Sequence, residues 1–292
     1  MNVGGFPPKP QVQGGFLASF RQKSFWALWA PHMAVFLFLL LFYTFEFMQL
    51  PSICILLSFS FLMIAGMLFV FKHEVRTFLP AAMLLPVAVA AGSIGGLYTY
   101  DVYAIYPHFY SNARLYTDVQ PSLPSGSVGD AGKLIFTPSS FVDINQSAAY
   151  VTERGSIFCA APVRDLHDIR QMQYWAVGVS CCSQGDFWCD DAKDSKAQGG
   201  IVIFDNEGFF SGSSFDEYQK AAKKAEATHH LLSVHHPMYI RWAHKDNLDK
   251  VANEYNMKAG LTLTAFSLAY AAVSAAMAVA LAKPHGPHVM GR

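Results

Sequence analysis

The chain has 292 residues, 52% of them hydrophobic and 14% charged, with 21 basic residues balanced by 21 acidic ones. A formal net charge of zero without a basic run leaves nothing to neutralise a phosphate backbone, which sets nucleic acid aside as a partner. The apolar residues are gathered into long, nearly uncharged runs, which sets aside a purely soluble domain.

Residues 1–25 are Gly- and Pro-rich (GGFPPKPQVQGG) and contain no apolar run. They read as a disordered tail without a cleavable signal peptide, the first apolar run acting as an uncleaved anchor. Crossing about 30 Å of hydrocarbon takes roughly 20 apolar residues. Within residues 26–99, Trp26 to Met48, Pro51 to Phe71 and Thr77 to Tyr98 each meet that length, and Ala259 to Ala282 supplies a fourth span (259–282) between Lys258 and Lys283. Glu46 is the one charge in the first span and lies near its end; His32 lies near the other end, beside Trp26, Trp29 and Pro31. Both read as interfacial residues and not as a transport relay.

Basic residues in short flanks orient the spans. Lys9, Arg21 and Lys23 precede the first, Lys72 and Arg76 link the second to the third, and Lys283 and Arg292 follow the fourth, whereas Gln49 to Ser52 carries none. Both tails, 1–25 and 283–292, are therefore expected in the cytosol, and residues 100–258 on the exoplasmic face of a plasma membrane or endomembrane, with an organelle membrane as the alternative. Within the membrane, Ala88, Gly92 and Gly96 recur every fourth residue in span three, as do Ala91 with Gly95 there and Ala265 with Ala269 and Ala272 with Ala276 in span four. Small residues at that spacing admit close backbones, so spans three and four are expected to pair. Pro80 and Pro86 each remove a backbone donor and predict kinks in span three. Spans one and two, rich in Phe, Leu and Met, suit membrane lipid or another membrane protein.

The segment 100–258 reads as an α+β, strand-rich domain. Expected strands are Lys133 to Thr137, Ser156 to Val163, Tyr174 to Cys182 and Gly200 to Asp205, with Trp175, Val177, Val179 and Cys181 on one core face. Asp205 to Gly208 reads as a turn before Phe209 and Phe210. A helix is expected from Ser214 with a capping box to Glu217, burying Tyr218, Ala221, Ala222 and Ala225. A second begins near Asp246, presents Leu248, Val251, Ala252 and Tyr255 on one face, and runs into span four, which would couple the domain rigidly to the membrane.

Four of the five cysteines, Cys159, Cys181, Cys182 and Cys189, lie in this domain. Adjacent residues on a strand point to opposite faces, so Cys181 and Cys182 each need a separate partner, and spacing leaves the pairings open. Disulfides are preferred to a four-cysteine zinc site because no C-x-x-C is present. Placement of these cysteines on an oxidising face agrees with the charge argument. Cys54, alone in span two, reads as packing.

Two adjacent histidine pairs, His229 with His230 and His235 with His236, are weak candidates for zinc or copper. The plainer reading has the first pair close the last turn of the helix from Ser214, and the second sit in a link before Pro237. Asp186, Asp190, Asp191 and Asp194 lack calcium-loop spacing and read as a solvated loop. Asn145-Gln146-Ser147 fits the N-glycosylation pattern. Hydrolase, zincin, P-loop and dinucleotide motifs are absent from the sequence.

Four spans, a tiny first outer loop and a large second one holding a Cys-Cys pair resemble the layout of tetraspanins. The detail departs: Cys181-Cys182-Ser183 stands where tetraspanins carry Cys-Cys-Gly, and one partner cysteine precedes the pair. The runs Phe158 to Val163, Tyr174 to Cys182 and Asp186 to Asp190 more closely resemble an uncharacterised multi-pass membrane-protein family of dinoflagellate-like protists. That resemblance carries no activity or cofactor. The function expected from the residues is a non-enzymatic membrane scaffold or accessory subunit in a larger assembly; the alternative is a metal-dependent enzyme or metal chaperone using the histidine pairs.

Overall fold

The structure, a computed structural model, describes residues 23–72, 78–166, 171–183, 185–206 and 208–282. Residues 1–22 of the expected N-terminal tail, the tail 283–292 and Arg76 lie outside them, whereas Lys23 to Phe25, also assigned to the tail, are helical and Phe25 is buried. Two compact units emerge, one from residues up to Thr99 together with those from Leu261, the other from Tyr100 to Gly260.

The first unit holds α1 (Lys23–Glu46), α2 (Pro51–Val70), α3 (Phe78–Thr99) and the later turns of a long helix that starts in the second unit. Four helices are long and apolar enough to cross a membrane, consistent with an integral membrane protein. Only a helix or closed barrel satisfies its own backbone in hydrocarbon, which is why uncharged runs of this length become helices. Pro80 falls in the first turn of α3, where no intrahelical donor is lost, whereas Pro86 is interior, as is Pro31 in α1.

The small residues of span three divide between two neighbours: Ala91 and Gly95 lie beside Phe266 of span four, as the expected pairing requires, while the others turn to α1. Ala88, Gly92 and Gly96 receive α1: a Cβ on Gly92 would fall 2.8 Å from the Phe36 carbonyl oxygen, and one on Gly96 2.6 Å from Tyr43 Cβ. Leu39 and Leu40 of α1 are fully buried there. Bulk on α1 fits absence of bulk on α3, a complementarity that the alanines of span four could not provide. Ala265, Ala269, Ala272 and Ala276 are all exposed. That helix packs through its other side, where Tyr270 stacks on Phe36 at 3.9 Å and Ser274 Oγ accepts a hydrogen bond from Trp29 Nε1 at 3.0 Å. His32, expected at an interface, is buried among these helices, its Nδ1–H donating to the Leu28 carbonyl at 2.7 Å. Ser58 bonds the Cys54 carbonyl in its own helix and also meets the Tyr43 and Ser93 hydroxyls.

The second unit begins with a π-helical turn, Tyr100–Ala104, and α4 (Ile105–Asn112). Its strands are β1 (Arg114–Val119), β2 (Ala131–Phe136), β3 (Phe141–Val142), β4 (Ala148–Val151), β5 (Ile157–Arg164), β6 (Met172–Val179), β7 (Cys182–Ser183), β8 (Asp186–Phe187), β9 (Gly199–Val202) and β10 (Ser233–Ala243), with α5 (Phe215–His229) before β10 and α6 (Lys250–Ala282) after it. β7 and β8 form a small hairpin; the others make one sheet in the order β1-β2-β9-β10-β6-β5-β3, with β4 also on β5. The β1–β2 and β10–β6 pairs are parallel and the remaining pairs antiparallel.

Both faces of the sheet centre are covered, so Tyr174, Trp175, Ala176 and Val177 are all buried in succession. Trp175 and Val177 face Tyr218, Ala221, Ala222 and Ala225 of α5. Tyr174 and Ala176 face Leu134, Phe136, Ile240 and Trp242, with Phe187 and Cys189 of the cysteine-rich segment over them. The single core face expected for this strand ends at Val177: Val179 is exposed, and Ser180 adopts a left-handed φ of 56° that takes Cys181 out of the strand. Ser214 is the N-cap of α5, but its side chain makes no capping bond; the Phe215 N–H donates to Ser213 Oγ instead, at 3.2 Å. Leu248 and Val251 are buried with Ala252 and Tyr255 packed against them, as the helical spacing predicts.

Candidate functional site

A cavity of about 420 Å³ opens in the second unit where α4, the end of β6, the loop after β9, α5, β10 and the first turns of α6 converge. Tyrosines dominate its wall. Tyr106 stacks on Tyr255 with ring centres 4.1 Å apart, and Tyr110 Oη donates to the Val202 carbonyl at 2.8 Å. Tyr218 reaches the wall from α5; burial pushes its phenol up to about 12, with Arg241 pulling the other way.

Arg241 is the cation of the cleft. Its Nε and Nη2 donate to the two oxygens of Asp190 at 2.9 and 2.5 Å, a bidentate pair of the strong kind. That carboxylate holds the guanidinium pKa above its ordinary value, against the opposing effect of burial. Asp190 sits at a φ of 47°, a conformation Asp tolerates better than most residues, and the segment carrying it is fixed by a disulfide at its neighbour Cys189. Asp205, also on the wall, accepts from Ser213 Oγ at 2.8 Å.

The bridges are Cys159–Cys182 and Cys181–Cys189, so the adjacent cysteines do take separate partners. Sulfurs of Cys159, Cys181 and Cys189 lie within 4.8 Å of one another, yet each is committed to a disulfide. Cys54 is free and buried.

The histidine pairs are not brought together with further donors among the described residues. His229 is the last residue of α5, with Nε2 3.3 Å from the Ser147 carbonyl, and His230 is its left-handed C-cap. His235 and His236 lie within β10 and not in a link before it, both exposed, with ring centres 4.2 Å apart. They fall where β10 bulges: Ser233 pairs with Met172 but Met238 with Tyr174, five residues of one strand against two of the other. The four aspartates also diverge. Asp186 takes Lys193, Asp190 takes Arg241, Asp191 accepts the His244 N–H and Asp194 that of Lys196. They tie down the loop that was expected to be merely solvated. Asn145 is exposed.

The cleft itself was not visible in the sequence. Tyr218 and Tyr255 were read as helix core, and Arg241 was not singled out, because the segment around it was not read as a strand. No known protein family, curated protein or solved structure matches this chain.

Proposed function

We propose that the protein is a non-enzymatic integral membrane subunit that offers the cleft of its disulfide-braced domain to a partner protein. The observation that carries this reading is how the cleft's polar groups are committed: Arg241 to Asp190, Asp205 to Ser213 and Tyr110 to a backbone carbonyl. Groups fixed this way present a rigid pattern of charge and aromatic surface. Tyrosine and arginine in a concave, partly desolvated setting are the residue types that dominate binding energy at protein interfaces. Support for an exoplasmic domain with both termini in the cytosol comes from the two bridges, which persist in oxidising compartments, and from the basic residues flanking the spans.

Gly212 provides the test. It lines the cleft, and a Cβ there meets no atom within 4 Å, so G212W starts from open space and adds a large ring at the cleft wall. Native complexes extracted in mild detergent should shrink to the lone chain in G212W while the melting temperature holds. An unchanged complex size at unchanged stability would rule out the cleft as the docking site.

A further inference from the structure

The loop between β9 and α5 displays Phe209 at 90% exposure, the most exposed large apolar side chain among the described residues. This loop is held firmly. The buried carboxylate of Asp101 accepts the Phe210 N–H at 2.6 Å and the Ser211 N–H at 3.0 Å through Oδ2, and Asn206 Nδ2 donates to the Asp101 carbonyl at 2.6 Å. Gly208 passes so close to Asp101 that any Cβ would overlap the carboxylate. A buried carboxylate is costly unless hydrogen-bonded, so the bonds that neutralise that cost also set the loop. The conformation thus displays an aromatic ring that the described residues leave uncovered.

Asp101 is two residues beyond Thr99, the last residue of α3. Two residues reach at most about 7 Å. Roughly 20 helical residues counted from Leu79 use up the hydrocarbon thickness by Tyr98, and the interfacial layer beyond is about 5–8 Å deep. The anchor of the Phe209 loop is therefore covalently confined to the depth of the headgroups. We propose that Phe209 inserts into the phospholipid interface as a second, non-helical membrane contact of the domain. Phe, like Trp and Leu, is favoured at the boundary between headgroups and acyl chains, where its apolar ring leaves water. This rests on the reading that α3 crosses the membrane.

The test uses the full chain in a C54A background, reconstituted in phosphatidylcholine vesicles and labelled with an environment-sensitive fluorophore at F209C or, separately, at M63C, an exposed site in the middle of α2. Lipid-borne nitroxide should quench both labels and aqueous iodide neither. If M63C is quenched by lipid but F209C only by iodide, the wedge is wrong while the spanning helices stand. If F209C is reached by neither quencher, protein covers it and the wedge is equally wrong. Failure of lipid to quench M63C would remove the spanning reading, and the proposal with it.

Discussion

A methyl group on Gly178 would lie 2.5 Å from Cys181 Sγ and 2.6 Å from Cys189 Sγ, so the last turn of β6 is glycine because a disulfide occupies the space a side chain would need. Residue-scale requirements of this kind are invisible in sequence: Gly178 is one of 21 glycines, and nothing local marks it. The cysteines were legible in part. Alternation on a strand separated Cys181 from Cys182, but choosing their partners needed the turn at Ser180, which spacing does not encode. The two bridges should differ in weight. They close separations of 23 and 8 residues, so on the chain-entropy model removing Cys159–Cys182 costs about 3.4 kcal/mol and removing Cys181–Cys189 about 2.5 kcal/mol. Denaturant unfolding of the C159S/C182S and C181S/C189S chains should rank them in that order; equal losses would mean the cost is set by local packing and not by loop length.

Among the elements, the four long apolar helices were plain in the sequence because a run of uncharged residues has few other fates. Their pairing was not. Four-residue spacing of small side chains says that a close approach is available, not which neighbour takes it, and α1 supplies the matching bulk at Phe36, Leu39 and Tyr43. Accordingly G96L should lower the melting temperature of the helical unit sharply, since its side chain meets Tyr43 Cβ and the Leu40 carbonyl. A269L, on an exposed face, should leave it unchanged within error. Equal destabilisation by the two would refute this arrangement of faces. β10 shows the opposite failure. The central strand of the sheet was missed because Pro237 and two exposed histidines interrupt its pattern, and the fold absorbs them in a bulge whose extra residues pair with nothing on β6.

For the whole molecule, the strand-rich character of the second unit was legible, since its beta-prone runs are punctuated by turn residues; the cleft was not, since it is assembled from six elements. One global property follows from the tyrosines in its core. Burial pushes the phenols of Tyr174, Tyr218 and Tyr239 each up to about 12, above the value of about 10 for an unfolded chain. The raised folded pKa makes the sign definite: the unfolded chain releases these protons first, so the stability is intact below about pH 10 and drains away as pH rises toward 12. Melting temperatures recorded from neutral to alkaline pH should fall in that window. In Y174F, which also removes a buried hydroxyl without a hydrogen-bond partner, the fall should be shallower. The crowding of three sulfurs within 4.8 Å carries a different implication. A thiolate released from Cys181–Cys189 lies beside Cys159, and thiol–disulfide exchange needs nothing more than such an encounter. The two bridges therefore share one fate under reducing stress, and a single nick can reshuffle the covalent framework without the domain first having to unfold.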